Sequence, residues 1–165
     1  MIKTTHVIHI DRPAHEVFEF LRDHDNRMDW QANLVEQEHK KVGKGSQVTE
    51  VRNVLGRRVE IKGEITEYEA DRRLVFSGSG PHVKRLEYHY QLTGEGATTK
   101  LSTEVDLELA DKFGLTEPII QRMTDREVDH FHRLLKDILE NPEAHESARQ
   151  LPRHAHHKKA GSIST

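Results

Sequence analysis

The chain contains no cysteine, which excludes a disulfide framework, a thiolate nucleophile and any sulfur-ligated metal, and fits a reducing compartment. It contains no apolar run near the roughly 20 residues of a membrane span, so no integral membrane segment is expected. It has no large excess of charge: 25 basic and 28 acidic residues leave a formal −3. That balance gives no reason to expect nucleic acid as a partner. Met1-Ile2-Lys3-Thr4 lacks the apolar centre of a signal peptide. Together these absences predict a cytoplasmic protein.

What is present suits one domain. Of 165 residues, 34% are hydrophobic and 32% charged, so the apolar side chains must be concentrated on a few faces. Composition shifts after Asn141-Pro142, and apolar periodicity stops. Residues 1–141 are expected to form the domain. Residues 142–165, with His154-Ala155-His156-His157-Lys158-Lys159, read as a flexible tail that cannot offset the entropy of ordering itself.

Within the domain, Ile8 and Ile10 alternate around His9, and Asp11-Arg12-Pro13 then starts a helix whose stripe is Val17, Phe18 and Leu21. A second short helix is expected over about His24 to Trp30. Strands follow near 34–41, 46–55, 58–68, 73–78, 83–92 and 98–109, divided by short glycine-bearing turns, which predicts an antiparallel meander. Val59, Ile61, Gly63 and Ile65 share a face, as do Leu86, Tyr88, Tyr90 and Leu92, and Leu101, Thr103, Val105 and Leu107. A symmetric Gly94-Glu95-Gly96-Ala97 loop sets Tyr90 opposite Leu101 and Tyr88 opposite Thr103. Between Phe76 and Leu86 the counting closes only with a bulge near Gly78-Gly80.

The last helix runs from Thr116-Glu117-Pro118 to about Glu140, with Ile120, Thr124, Glu127, Phe131, Leu134, Leu135 and Ile138 on one face and Met123 at its edge. The fold class is therefore α+β, a seven-stranded antiparallel sheet curled around this long C-terminal helix, with two short helices after the first strand. Backbone alone cannot fill the space between a curled sheet and one helix, so an interior cavity is expected, and cavities bind apolar ligands.

Three charged residues fall on apolar faces. An even-numbered loop at Gly56-Arg57 sets Val54 opposite Val59, Arg52 opposite Ile61 and Glu50 opposite Gly63, turning Glu50 and Arg52 inward. An odd loop or a bulge returns both to solvent. Glu127 lies near the centre of the helical stripe, where it either meets Arg52 across the cavity or leaves through a gap in the sheet. The 13 histidines form no recognised ligand set, and His130 and His132, two apart on a helix, read as surface residues; no metal and no organic cofactor is expected.

Ile8-x-Ile10-Asp11-x-Pro13-Ala14-x-x-Val17-Phe18-x-Phe20-Leu21, Asp25-Asn26, Trp30, Gly43-x-Gly45, Gly56-Arg57-Arg58-Val59-Glu60, Thr66-Glu67-Tyr68-Glu69, Arg73-Leu74-x-Phe76 and Thr99-Lys100-Leu101 come in an order that resembles the polyketide cyclase/dehydrase branch of the START-like, helix-grip (SRPBCC) superfamily. The resemblance covers roughly residues 5–140 and implies a hydrophobic tunnel beneath the terminal helix. Members include aromatase/cyclases of aromatic polyketides, lipid and sterol carriers and coenzyme Q-binding proteins. No catalytic signature is present to carry over. Trp30 matches the family's aromatic position after the second helix, where it lines the tunnel mouth or caps the core.

The expected function is binding or transport of a small hydrophobic ligand, such as a lipid, quinone or polyketide-like molecule, in the internal cavity. Glu50, Arg52, Tyr88, Tyr90 and Glu127 would anchor a polar end, and Trp30, Ile61, Phe76, Leu101, Met123 and Phe131 would cover an apolar body. The alternative is a polyketide cyclase, aromatase or dehydratase in which the same polar groups move protons. A protein-docking role finds no exposed apolar stripe to support it. A monomer or weak homodimer is expected.

Overall fold

A computed structural model describes residues 1–31, 33–37 and 41–144. Its elements are β1 (Ile2–Ile10), α1 (Ala14–Arg22), a 3-10 turn (His24–Asn26), α2 (Arg27–Trp30), β2 (Leu34–Gln37), β3 (Gln47–Val54), β4 (Arg57–Glu69), β5 (Arg73–Gly80), β6 (Val83–Glu95), β7 (Thr98–Leu109) and α3 (Glu117–Glu140). The seven strands form one antiparallel sheet in the order β1-β7-β6-β5-β4-β3-β2, and α3 packs across β1 and α2. This is the helix-grip α+β fold that the element order predicts. Residues 38–40 of the expected second strand, and 145–165 of the expected tail, lie outside the described residues.

The sheet curls because its ladders are interrupted. Register shifts occur between Leu34 and Glu36, Ile65 and Glu67, Gly78 and Gly80, and Val83 and Arg85, each adding local bend and twist. Strands β4 and β5 approach so closely that a Cβ on Gly63 would run into the Ser77 carbonyl oxygen. Only glycine fits there.

Two hairpins close two residues away from the expected registers. The β3–β4 loop is Leu55-Gly56, with φ of 50° and 80°, the two positive values of a type I′ turn. Arg52 therefore pairs with Val59 and Glu50 with Ile61. The β6–β7 loop is Gly96-Ala97, so Tyr90 faces Thr103 and Tyr88 faces Val105. Both corrections shift the pairing by two residues, the side-chain period, so every inward face is preserved.

Helix α1 begins directly after Pro13, with Val17 N–H donating to the Pro13 carbonyl at 3.1 Å, and it buries Val17, Phe18 and Leu21. Helix α3 starts after Thr116 and buries Ile120, Thr124, Val128, Phe131, His132, Leu135, Ile138 and Leu139. Its buried centre is thus rotated from the expected stripe. Val128 and His132 are inside, Glu127 is half-buried at the edge, and Met123 is 38% exposed. His132, expected at the surface, is 4% exposed and its Nε2 lies 2.7 Å from Thr103 Oγ1 on β7. Burial, with His6 nearby, pushes its imidazole down to about 4, so it is neutral in the fold.

Candidate functional site

The inward face of β3 reads Val48, Glu50, Arg52, Val54, with Glu50 1% and Arg52 0% exposed. Of the two readings left open by the sequence, the inward one is what the structure has. Two buried charges on an apolar face require partners, and α2 and β6 supply them. Arg52 Nε donates to Glu50 Oε1 at 2.7 Å, and Arg27 Nη1 on α2 lies 2.8 Å from Glu50 Oε2. Gln31 Oε1 accepts from Arg52 Nη2 at 3.0 Å and from Arg27 Nη2 at 2.8 Å, while Gln31 Nε2 donates to the Tyr90 hydroxyl at 3.0 Å. Arg52 Nη1 donates to the Tyr88 hydroxyl at 3.1 Å and to Asn33 Oδ1 at 3.0 Å. Asn33 Nδ2 then donates to Glu127 Oε2 on α3 at 3.3 Å. Glu127 thus meets Arg52 through Asn33.

Strands β3 and β6 are three positions apart in the sheet, about 14 Å if it were flat. The curl and two long side chains close that gap. Arg52 also sits over the Tyr88 ring, 4.8 Å from its centroid, and Tyr88 stacks on Tyr90 at 6.2 Å.

The electrostatics follow from burial. Desolvation would raise the Glu50 carboxyl, but Arg27 and Arg52 outweigh it and hold it below the ordinary carboxylate range. Desolvation likewise opposes the Arg52 charge, and Glu50 more than compensates. Burial pushes both tyrosine hydroxyls up, so Tyr88 and Tyr90 are neutral donors. Glu127 is raised by desolvation, with only Arg52 pulling it back.

Among the described residues, a cleft reaches this network. It lies between α3, the β3–β4 turn and β6–β7, with Asn33, Arg52, Tyr88 and Glu127 as its polar wall and Val54, Leu55, Leu86, Val105, Leu107 and Met123 as its apolar one. Its free volume is about 30 Å³, room for one or two water molecules and not for a long tail. Among the described residues the cleft at this network is narrow, where the resemblance implies an open tunnel.

The structure brings Arg52, Tyr88, Met123 and Glu127 together at the cleft, and places Glu50 and Tyr90 one layer behind it. Trp30 is 2% exposed and packs edge-on against Tyr90 and Phe131, with centroids 6.2 and 6.5 Å away. Ile61, Phe76, Leu101 and Phe131 are buried in the core and do not line the cleft. Sequence reasoning missed Arg27, Gln31 and Asn33. Arg27 and Gln31 are four apart, the spacing of one helical face, and that was the available signal.

On the outer face Glu87, His89 and Asp106 bring one ligand atom each to within 4.8 Å of one another. Arg73 Nη2, which can only donate, lies 3.4 Å from His89 Nδ1, so Nε2 carries the proton, aimed at Glu87 Oε1 at 3.0 Å. That tautomer has no lone pair at Nε2 for a metal. Lys3 and Arg85 already face Asp106 at 3.7 and 3.8 Å. The cluster reads as a cation-satisfied ion network.

A family model described as "Polyketide cyclase / dehydrase and lipid transport" matches residues 1–140. Among solved structures, a START superfamily protein from Mycobacterium smegmatis is 13% identical, with a TM-score of 0.71 over 84% of this chain and 97% of that one. An aromatase/cyclase from a Streptomyces species is 17% identical, with a TM-score of 0.64 over 84% of this chain and 93% of that one. A conserved protein from Geobacillus kaustophilus is 13% identical, with a TM-score of 0.69 over 85% and 96%. At these identities the likeness is one of fold. No curated protein matches the sequence.

Proposed function

The chain belongs to the polyketide cyclase/dehydrase and lipid transport family, and from that membership we propose that it binds a small, mostly apolar molecule by one oxygen-bearing end in the cleft beside α3. The observation that carries the reading is the asymmetry of the cleft. Its inner wall presents a buried guanidinium, a neutral tyrosine hydroxyl and an amide, and its outer wall is hydrocarbon. Tyr88 already accepts from Arg52, so its own proton is free to meet a ligand oxygen, polarised by the cation behind it. The apolar body of the ligand lies along Val54, Leu55, Leu107 and Met123. Admission of a body larger than water requires this wall to move. Met123 is its adaptable part, exposed and with three rotatable side-chain bonds.

The test is native mass spectrometry of protein purified from its source organism, together with titration of octanoate, octan-2-one and octan-1-ol. A retained amphiphile, or saturable binding of a probe weakened at least fivefold by Tyr88→Phe, supports the reading. The reading fails if no amphiphile is retained and no probe binds below millimolar concentration.

One observation favours catalysis as a second reading. Glu127 is a half-buried carboxyl with a raised pKa beside the same cleft, the character of a group that accepts a proton from carbon. A poly-ketone that cyclises faster with the protein, and loses the gain in Glu127→Gln, would establish it. An unchanged cyclisation rate would leave binding as the function.

A further inference from the structure

We propose that the ligand's polar end is a single carboxylate, which enters beside Arg52 and is matched by uptake of one proton shared with Glu127. This rests on the binding reading above and deepens it by naming the headgroup.

Arg27, Arg52 and Glu50 have side chains at most 5% exposed, and they make two cations against one anion. Gln31, Asn33 and Tyr88 satisfy the guanidinium hydrogens but carry no charge, so one positive charge of the described cluster is hydrogen-bonded without being neutralised. The carboxylate that answers it is Glu127, and it does so at second hand. Asn33 takes the Arg52 hydrogen on its oxygen and passes its own amide hydrogen to Glu127. Glu127 therefore occupies the place that a ligand anion would take, with weak reason to stay ionised there.

Size and donors select the anion. A free volume of about 30 Å³ suits the few heavy atoms of a carboxylate better than a phosphate. The donors on offer, the Tyr88 hydroxyl and the Asn33 amide, match its two oxygens. When the ligand carboxylate takes the Asn33 hydrogen, two carboxylates share one cleft. They cannot both stay ionised at such range, so a single proton is taken up between them.

The groups facing Glu127 support that linkage. From β3 comes Arg52, with Glu50 and then Arg27 of α2 behind it; from the segment before β2, neutral Asn33; from β6, neutral Tyr88; from β7, apolar Val105 and Leu107. On α3 itself Met123 and Thr124 are uncharged, and Arg126 and His130 are exposed to solvent. Arg52 is thus the cation that a ligand carboxylate and Glu127 would compete for.

Isothermal titration of octanoate and of its neutral isostere octanamide, from pH 6 to 8.5 and in two buffers of different ionisation enthalpy, tests this. Octanoate should bind at least tenfold tighter than octanamide at the acid end, with proton uptake approaching one and a Kd that rises towards tenfold per pH unit. Glu127→Gln should abolish the uptake and flatten the pH profile while binding octanoate at least as tightly. Octanamide binding equal to octanoate, or octanoate binding in the wild type without proton uptake, overturns the carboxylate inference alone. Silence from both probes overturns the carboxylate inference; the binding reading falls with it only if octan-2-one and octan-1-ol are silent too and no amphiphile is retained.

Discussion

Replacing Glu50 with glutamine keeps the side chain's shape and removes the anion that Arg27 and Arg52 share at 2.8 and 2.7 Å. Two guanidiniums, both buried, are then left facing each other with no full counter-charge. Breaking a buried ion pair in this way costs about 3–5 kcal/mol, against about 5–15 kcal/mol for the whole domain. With a urea m-value of about 2 kcal/mol/M, the unfolding midpoint should fall by roughly 2 M. Arg52→Met should cost less, because Glu50 keeps its contact with Arg27 and the removed cation is replaced by a side chain that packs. Urea melts of both variants followed by circular dichroism give the two numbers. A Glu50→Gln loss below about 1 kcal/mol, or a larger loss for Arg52→Met, would refute the view that Glu50 is the shared counterion.

Two further perturbations test other parts of the fold. The imidazole of His132, held neutral with its pKa near 4 in the fold, takes up its proton in the unfolded chain near its ordinary value of about 6.5. Its contribution is present above about pH 6.5 and is lost as pH falls towards 4, a difference on the order of 3 kcal/mol. Because Glu127, with its raised pKa, works in the opposite sense, the readout is wild type against His132→Gln in urea melts at pH 7.5 and 4.5; a pH-independent gap would contradict the assignment. Gly56→Ala, at φ 80° with open space around it, should cost about 1 kcal/mol. Gly63→Ala, with the Ser77 carbonyl in the way, should cost at least about 2 kcal/mol by overpacking, and equal thermal shifts for the two would show that the strands can part.

Period-2 alternation carried most of the fold. Val59, Ile61 and Ile65, or Leu86, Tyr88, Tyr90 and Leu92, face inward in the expected register and in the observed one, because the two differ by two residues. The bulge at Gly78-Gly80 was legible as a count that would not close. The site was harder to read. Glu50 and Arg52 stood out as charges on an apolar face, but their partners Gln31 and Asn33 follow a four-residue helix too short for periodicity to orient. The rotation of α3 was illegible for a related reason. Glu127 and His132 are both polar, and only contact with Asn33 and Thr103 decides which goes to the edge and which goes inside. The cleft's small volume depends on how closely Arg52, Tyr88 and Glu127 pack at its wall, which no sequence pattern encodes.

Central to the account is that the cleft beside α3 is where a ligand binds. Methyl-labelled NMR during titration with octanoate and octan-2-one tests this most directly. The account predicts saturable shifts at Met123, Leu55, Val54 and Leu107 that weaken together in Tyr88→Phe, with Val7 on the outer surface unmoved. Saturable shifts confined to methyls outside the cleft, or none at any methyl, would contradict it.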